Sequence, residues 1–171
     1  MKRMSDSHRL YVIRHAVAAE RGDAYPDDSK RPLTPDGMSR FRKTARGLAR
    51  LDAGIDCILC SPLVRARQTA DILAQALPDK PRVVETATLV PGADFRELAA
   101  ELENHKRSSA IALVGHEPGV GEIAARLIGL RHPFQFKKGA VCRIDVETLP
   151  PAGPGRLRWF ATSKMLAKLA K

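Results

Sequence analysis

The sequence predicts a three-layer α/β/α sandwich with a largely parallel, mixed sheet, and three observations carry that expectation. Short apolar runs of strand length alternate with longer stretches in which apolar side chains recur at helical spacing, the signature of strands joined by crossover helices. Helix-starting residues follow the strand runs at several junctions. The last two strand-like runs are joined instead by a Pro/Gly loop, Leu149–Gly155, which makes a hairpin-like pair and so a mixed sheet.

The elements follow in order. Leu10–Ile13 reads as a central strand and is followed by a polar, Pro-rich loop, Ala19–Leu33. Thr34 is the expected N-cap of a helix with Pro35 at its first position and Met38, Phe41, Ala45 and Leu48 on its apolar face; Gly54 closes the unit. Cys57–Cys60 is a second strand, with Ser61 as cap and Pro62 opening a helix to about Leu77. Arg82–Val84 gives a short strand, and Asp94 caps a helix carrying Leu98 and Leu102. Ala110–Val114 is the clearest buried strand, and Pro118 opens a helix with Val120, Ile123, Ala124, Leu127 and Ile128 on one face. Strands near Ala140–Val146 and Arg156–Phe160 and a short terminal helix complete the chain. Its 171 residues suit a single domain, 1–171, with 1–8 a flexible N-terminal extension.

Composition narrows the function. Apolar residues make up 44% and charged residues 28% of the chain, a globular balance, and no stretch approaches the roughly twenty apolar residues of a membrane span. Basic residues near the N-terminus are not followed by an apolar core, so no signal peptide is expected and the reading is a cytoplasmic protein. Cys57 and Cys60 lie three apart on a strand and point to opposite faces, as core residues rather than a redox pair. The net charge of +10 favours anionic partners. With aromatics at 5% and no finger or helix-turn-helix pattern, neither nucleic acid nor membrane is expected among them.

In open α/β sheets, ligands bind beyond the carboxyl ends of the strands. Arg14 and His15 follow the first strand, Arg65 lies in the first turn of the helix after the second, and His116 follows Ala110–Gly115. A lone histidine or arginine at a strand end is usually a surface group; four such residues from three segments at one sheet edge are not. Two arginines supply the forked donors a dianionic phosphate needs, and helix N-termini add backbone N–H groups. Neither a Walker-type glycine loop nor a carboxylate cluster for Mg²⁺ is present, so no metal or cofactor is expected. A side chain must then attack phosphorus, and neutral imidazole can do so. His8, His105 and His132 have no such setting.

These segments carry a resemblance. Arg14-His15-Ala16 after a Leu-Tyr-Val-Ile strand, Arg31-Pro32-Leu33-Thr34-Pro35-Asp36-Gly37, Ser61-Pro62-Leu63-Val64-Arg65-Ala66-Arg67-Gln68-Thr69-Ala70 and Val114-Gly115-His116-Glu117-Pro118 resemble, in order, the motifs of the histidine phosphatase superfamily, the phosphoglycerate mutase-like enzymes. The short length, the Gly-His-Glu-Pro form and the Phe136–Ala140 strand entry are similar to the small SixA-type phosphohistidine phosphatases. The resemblance implies a phosphoglycerate mutase-like fold and metal-independent phosphatase action. It implies His15 as the phosphorylated nucleophile, Arg14, Arg65 and His116 as phosphoryl-binding residues, and a phosphohistidine-bearing protein as substrate.

Two departures matter. Mutase-type relatives carry Asn six residues after the nucleophile, where this chain has Arg21, taken here as a further substrate-binding residue. Their general-acid Glu lies in an insertion for which this chain has little room; Glu85, Asp94 and Glu20 are the available carboxylates, and Asp94 is better explained as a helix cap. An alkoxide needs a proton as it leaves, whereas an imidazole with a conjugate-acid pKa of about 6.5 needs less help. The alternatives are a phosphatase for polyphosphate or another small phosphoanhydride, and, from another class, a non-catalytic phosphate-binding module.

Overall fold

Strand β1 (His8–Arg14) runs through the middle of the molecule because Leu10, Tyr11, Val12 and Ile13 are all buried and need cover on both faces. In the computed structural model, which describes residues 7–51 and 54–170, it lies in a six-stranded sheet of order β3-β2-β4-β1-β5-β6. The other strands are β2 (Cys57–Cys60), β3 (Arg82–Glu85), β4 (Ala110–Gly115), β5 (Val141–Val146) and β6 (Arg156–Ala161). The β1, β2, β3 and β4 pairings are parallel; β5 is antiparallel to both β1 and β6. The sheet is therefore mixed, as the C-terminal hairpin-like pair predicts.

Helices α1 (Pro35–Arg50), α2 (Val64–Ala76) and α5 (Ser163–Lys168) cover one face, meeting Tyr11, Ile13, Ile58 and Val114. Helices α3 (Phe95–Leu102) and α4 (Gly119–Leu127) cover the other, meeting Leu10, Val12, Leu59 and Leu113. The period-2 alternation of the strands sorts these residues into two cores. Cys60 faces the first core and Cys57 the second, and both are free, as is Cys142. Burial pushes the thiols of Cys60 and Cys142 up to about 12, so neither is a nucleophile.

The caps at Thr34 and Asp94 form as expected: Thr34 Oγ1 accepts the Gly37 N–H at 2.9 Å, and Asp94 Oδ1 accepts the Arg96 N–H at 2.9 Å. Three expectations shift. β1 begins at His8, inside the segment taken as an extension; residues 1–6 of that segment lie outside the described residues. α2 starts at Val64 rather than Pro62; the Ser61 hydroxyl accepts the Leu63 N–H at 3.3 Å, ahead of the helix, and also bonds His116. Pro118 sits just before α4, at its N-cap. The long loop also has structure of its own, a bridge between Ala18 and Leu33 and a 3-10 turn at Asp28–Lys30.

Register places the functional edge. Arg14 pairs with Gly115 across β1 and β4, and Cys60 with Val114 across β2 and β4, so these strands end level. The ladder extends one step past each end: His15 N–H donates to Gly115 O at 3.0 Å and Ser61 N–H to Val114 O at 3.0 Å. Residues 15, 61 and 116 thus leave the sheet side by side.

Candidate active site

A cavity of about 350 Å³ opens at this edge. All five residues singled out from the sequence, Arg14, His15, Arg21, Arg65 and His116, line it. His15, Arg65 and His116 are at most 5% exposed, so the sheet edge holds imidazoles and a guanidinium almost out of water.

The His15 ring is held by its Nδ1, 2.7 Å from the Ala16 carbonyl oxygen. A carbonyl only accepts, so Nδ1 carries the proton and Nε2 keeps its lone pair. The Ala16 N–H donates to Thr69 Oγ1 at 3.1 Å, and that hydroxyl donates to Arg65 O at 2.7 Å, locking the loop onto α2. His116 lies 5.1 Å away between ring centroids. Its Nε2 is 2.8 Å from Ser61 Oγ.

Each arginine is gripped from behind. Arg14 Nη1 donates to Phe136 O at 2.6 Å, while Glu117 Oε1 accepts the Phe136 N–H at 2.7 Å. Arg65 donates from Nη1 to Asp28 O at 2.7 Å and from Nη2 to Asp28 Oδ2 at 2.9 Å. What remains is informative. Arg14 Nε, Arg65 Nε and His116 Nδ1 are buried without a hydrogen-bond partner. Leaving a buried donor unpaired costs about 1–3 kcal/mol, and the two guanidinium N–H groups belong to residues that line this cavity, so an anion with several acceptor oxygens would suit it.

Electrostatics keep both imidazoles neutral. Burial above all, then the neighbouring His116, Arg65 and Arg14, depress His15 to about 3, against the raising effect of its bond to Ala16. Burial and then Arg65 bring His116 down to about 4. A neutral imidazole with a free Nε2 among cationic side chains has the chemistry needed to attack a bound anion.

Of the carboxylates weighed as general acids, only Glu20 reaches this cavity. Glu85 is paired with Arg67 at 3.0 Å, and Asp94 caps α3 beside a neighbouring cleft. Sequence reasoning missed Arg31, Lys138 and Glu117, which also line the cavity, and Asp28 behind Arg65. Arg31 lies within a quoted motif and Glu117 adjoins His116, so position offered a signal for both; for Asp28 it offered none.

The sequence profile of the histidine phosphatase superfamily (branch 1) matches residues 10–90. An uncharacterized protein of Picosynechococcus sp. is 42% identical over 137 residues, covering 77% of this chain and 81% of the relative. The chain belongs to the histidine phosphatase superfamily. It is a phosphatase with the phosphoglycerate mutase-like α/β fold. The superfamily member phosphohistidine phosphatase SixA of Escherichia coli is 29% identical over 153 residues, covering 88% of this chain and 91% of that one. The structure of the protein histidine phosphatase SixA complexed with tungstate superposes with a TM-score of 0.80 at 26% identity, covering 91% of this chain and 97% of that chain.

Proposed function

We propose that this histidine phosphatase removes the phosphoryl group from phosphohistidine on a protein, through a covalent intermediate on His15. The observation that carries the reading is the His15 ring, held by Nδ1 on the Ala16 carbonyl with Nε2 left nucleophilic beside Arg14, Arg65 and His116, each with a buried nitrogen that has no partner. In the first step, His15 Nε2 attacks phosphorus and the bond to the substrate nitrogen breaks. The electron pair of that bond leaves with the substrate imidazole, which takes its proton from water. Water then attacks the phosphoryl group on His15, releasing orthophosphate and returning the neutral ring. Arg14, Arg65 and His116 hold the equatorial oxygens through both steps, and Arg21 at the rim adds charge.

Substrate choice rests on two supports. The E. coli relative named above acts, by its name, on phosphohistidine. In addition, the Glu117 carboxylate is engaged structurally: its Oε1 accepts the Phe136 N–H at 2.7 Å, and the Phe136 carbonyl in turn grips Arg14, which leaves no carboxylate assigned as a proton donor. A site without an efficient acid suits a nitrogen leaving group. A second reading, hydrolysis of short polyphosphate, is favoured by the +10 charge and by Arg21 and Lys138 at the cavity mouth. Three buried, unpaired cysteines fit a reducing, cytoplasmic setting.

The test compares phosphohistidine peptide, short polyphosphate, and aryl and alkyl phosphates of graded leaving-group pKa, with wild type beside His15→Ala. Phosphohistidine and aryl phosphates should exceed alkyl phosphates by on the order of 10² in kcat/KM. His15→Ala should abolish turnover of all of them. A flat leaving-group series, or preference for polyphosphate, would remove the phosphohistidine assignment.

A further inference from the structure

We infer that Asp28 is a positioning residue for phosphoryl transfer: it grips the outer edge of Arg65 and leaves the inner edge of that guanidinium for the phosphoryl group. The inference rests on the phosphatase reading of the site. A guanidinium has five N–H donors in a rigid plane. Asp28 engages both terminal nitrogens of Arg65, one through its backbone carbonyl at 2.7 Å and one through Oδ2 at 2.9 Å. Arg65 Nε, on the adjacent edge, is buried and unpartnered, and Arg65 lines the cavity that holds His15. With its far edge pinned, the plane of Arg65 can turn neither away from the cavity nor onto another acceptor.

An ordinary surface ion pair would not have this consequence, since exposed pairs contribute little. Here the partners are unequal. Arg65 is 2% exposed, while the Asp28 side chain is 42% exposed, so a half-solvated carboxylate reaches in to a buried cation. Removing it would leave that cation without its counter-charge. Asp28 is itself well seated. It opens the 3-10 turn whose Asp27 cap accepts the Ser29 N–H at 3.0 Å and the Ser29 hydroxyl at 2.6 Å. Its Oδ1 also receives Arg31 Nε at 3.0 Å, and Arg31 Nη1 donates to Ala19 O at 2.7 Å, tying the turn to the loop beyond His15. Arg21 Nε reaches the same oxygen at 3.3 Å, but that side chain is 79% exposed and adds little restraint. Burial tends to raise the Asp28 pKa; the bond from Arg31 and the charge of Arg65 outweigh it and hold it below the usual carboxylate range, so the clamp is anionic at neutral pH.

The experiment separates positioning from mere charge balance by the sign of an effect. Tungstate binding is measured by calorimetry, and kcat and KM with p-nitrophenyl phosphate, for wild type, Asp28→Ala, Asp28→Asn, Arg65→Ala and the Asp28→Ala/Arg65→Ala pair. Positioning predicts that Asp28→Ala lowers kcat on the order of 10², with KM moving far less, and weakens tungstate binding. It predicts that Asp28→Asn, which keeps an acceptor oxygen, falls between wild type and Asp28→Ala. A carboxylate serving only as counter-charge would do the reverse for the anion: removing it would tighten tungstate binding. If Asp28 acts through Arg65, its loss should cost no more than about twofold once Arg65 is alanine. Tighter or unchanged tungstate binding, or losses that add in the double variant, would overturn the inference. If Asp28→Ala does not fold, the near-isosteric Asp28→Asn carries the tungstate comparison and the cycle. Capture of the phosphoryl group on His15 in wild type is the separate control. Its failure would count against the catalytic reading, while the tungstate measurements would still decide whether Asp28 orients Arg65.

Discussion

At the scale of single residues, the two depressed imidazoles govern the response to acid. His15 titrates near 3 and His116 near 4 in the folded protein, against about 6.5 when unfolded. The unfolded chain therefore binds more protons between these values, and stability must fall as pH is lowered from about 6.5 toward 4. Denaturant midpoints measured across that window should show the decline, and His15→Gln should flatten part of it. For catalysis, His15 stays neutral over the same range, so kcat/KM corrected for substrate ionisation should hold level from pH 7 to about 5. An acid limb centred near 6.5 would mean that His15 is not held neutral by its surroundings. Ser61 offers a second check. Its hydroxyl is within 2.8 Å of His116 Nε2, so Ser61→Ala leaves that buried nitrogen unpaired at a cost of about 1–3 kcal/mol. Such a variant should unfold earlier in urea and lose activity beyond its loss of stability.

At the scale of elements, the legible parts were those whose cause is local. Apolar runs announced β1, β2 and β4, and side-chain–backbone caps at Thr34 and Asp94 announced α1 and α3, because each signal and its effect lie within a few residues. Arg14, His15, Arg65 and His116 were legible for the same reason: strand ends locate them and topology brings them together. Ser61 misled because its hydroxyl, besides accepting the Leu63 N–H at 3.3 Å, is also engaged by His116, 55 residues away. Asp28 was invisible because it acts on a guanidinium 37 residues further along the chain. The contact between α1 and α5 is another long-range feature, and it yields a prediction. A methyl group on Gly47 would run into the backbone carbonyl of Leu166, which cannot swing aside as a side chain could. Gly47→Ala should therefore displace α5, at a cost of up to about 3 kcal/mol that exceeds the roughly 1 kcal/mol gained in helix propensity. The unfolding midpoint should drop while kcat is largely kept, since neither Gly47 nor α5 lines the cavity.

At the scale of the whole molecule, a net charge of +10 accompanies a cavity lined by Arg14, Arg21, Arg31, Arg65 and Lys138. Raising salt from 10 to 300 mM should lower kcat/KM for a charged phosphoprotein more than for a small aryl phosphate, because the larger partner is steered over a longer distance. EDTA should leave either rate unchanged, since guanidinium groups stand where a cation would otherwise neutralise the phosphoryl oxygens; inhibition reversed by Mg²⁺ would contradict this site. The position of β1 between β4 and β5 has a consequence in time as well as in space. Its pairing partners begin at Ala110 and Val141, so this strand, the earliest of the six in the chain, has no neighbour in the sheet until about 100 more residues have been made. At roughly 5–20 residues per second that interval is on the order of 5–20 s. Arg14 waits longer still, because the Phe136 carbonyl that grips it comes later than β4. His15 is thus synthesised well before the partners that complete its site, and a nascent or prematurely terminated chain carries this histidine without its pocket.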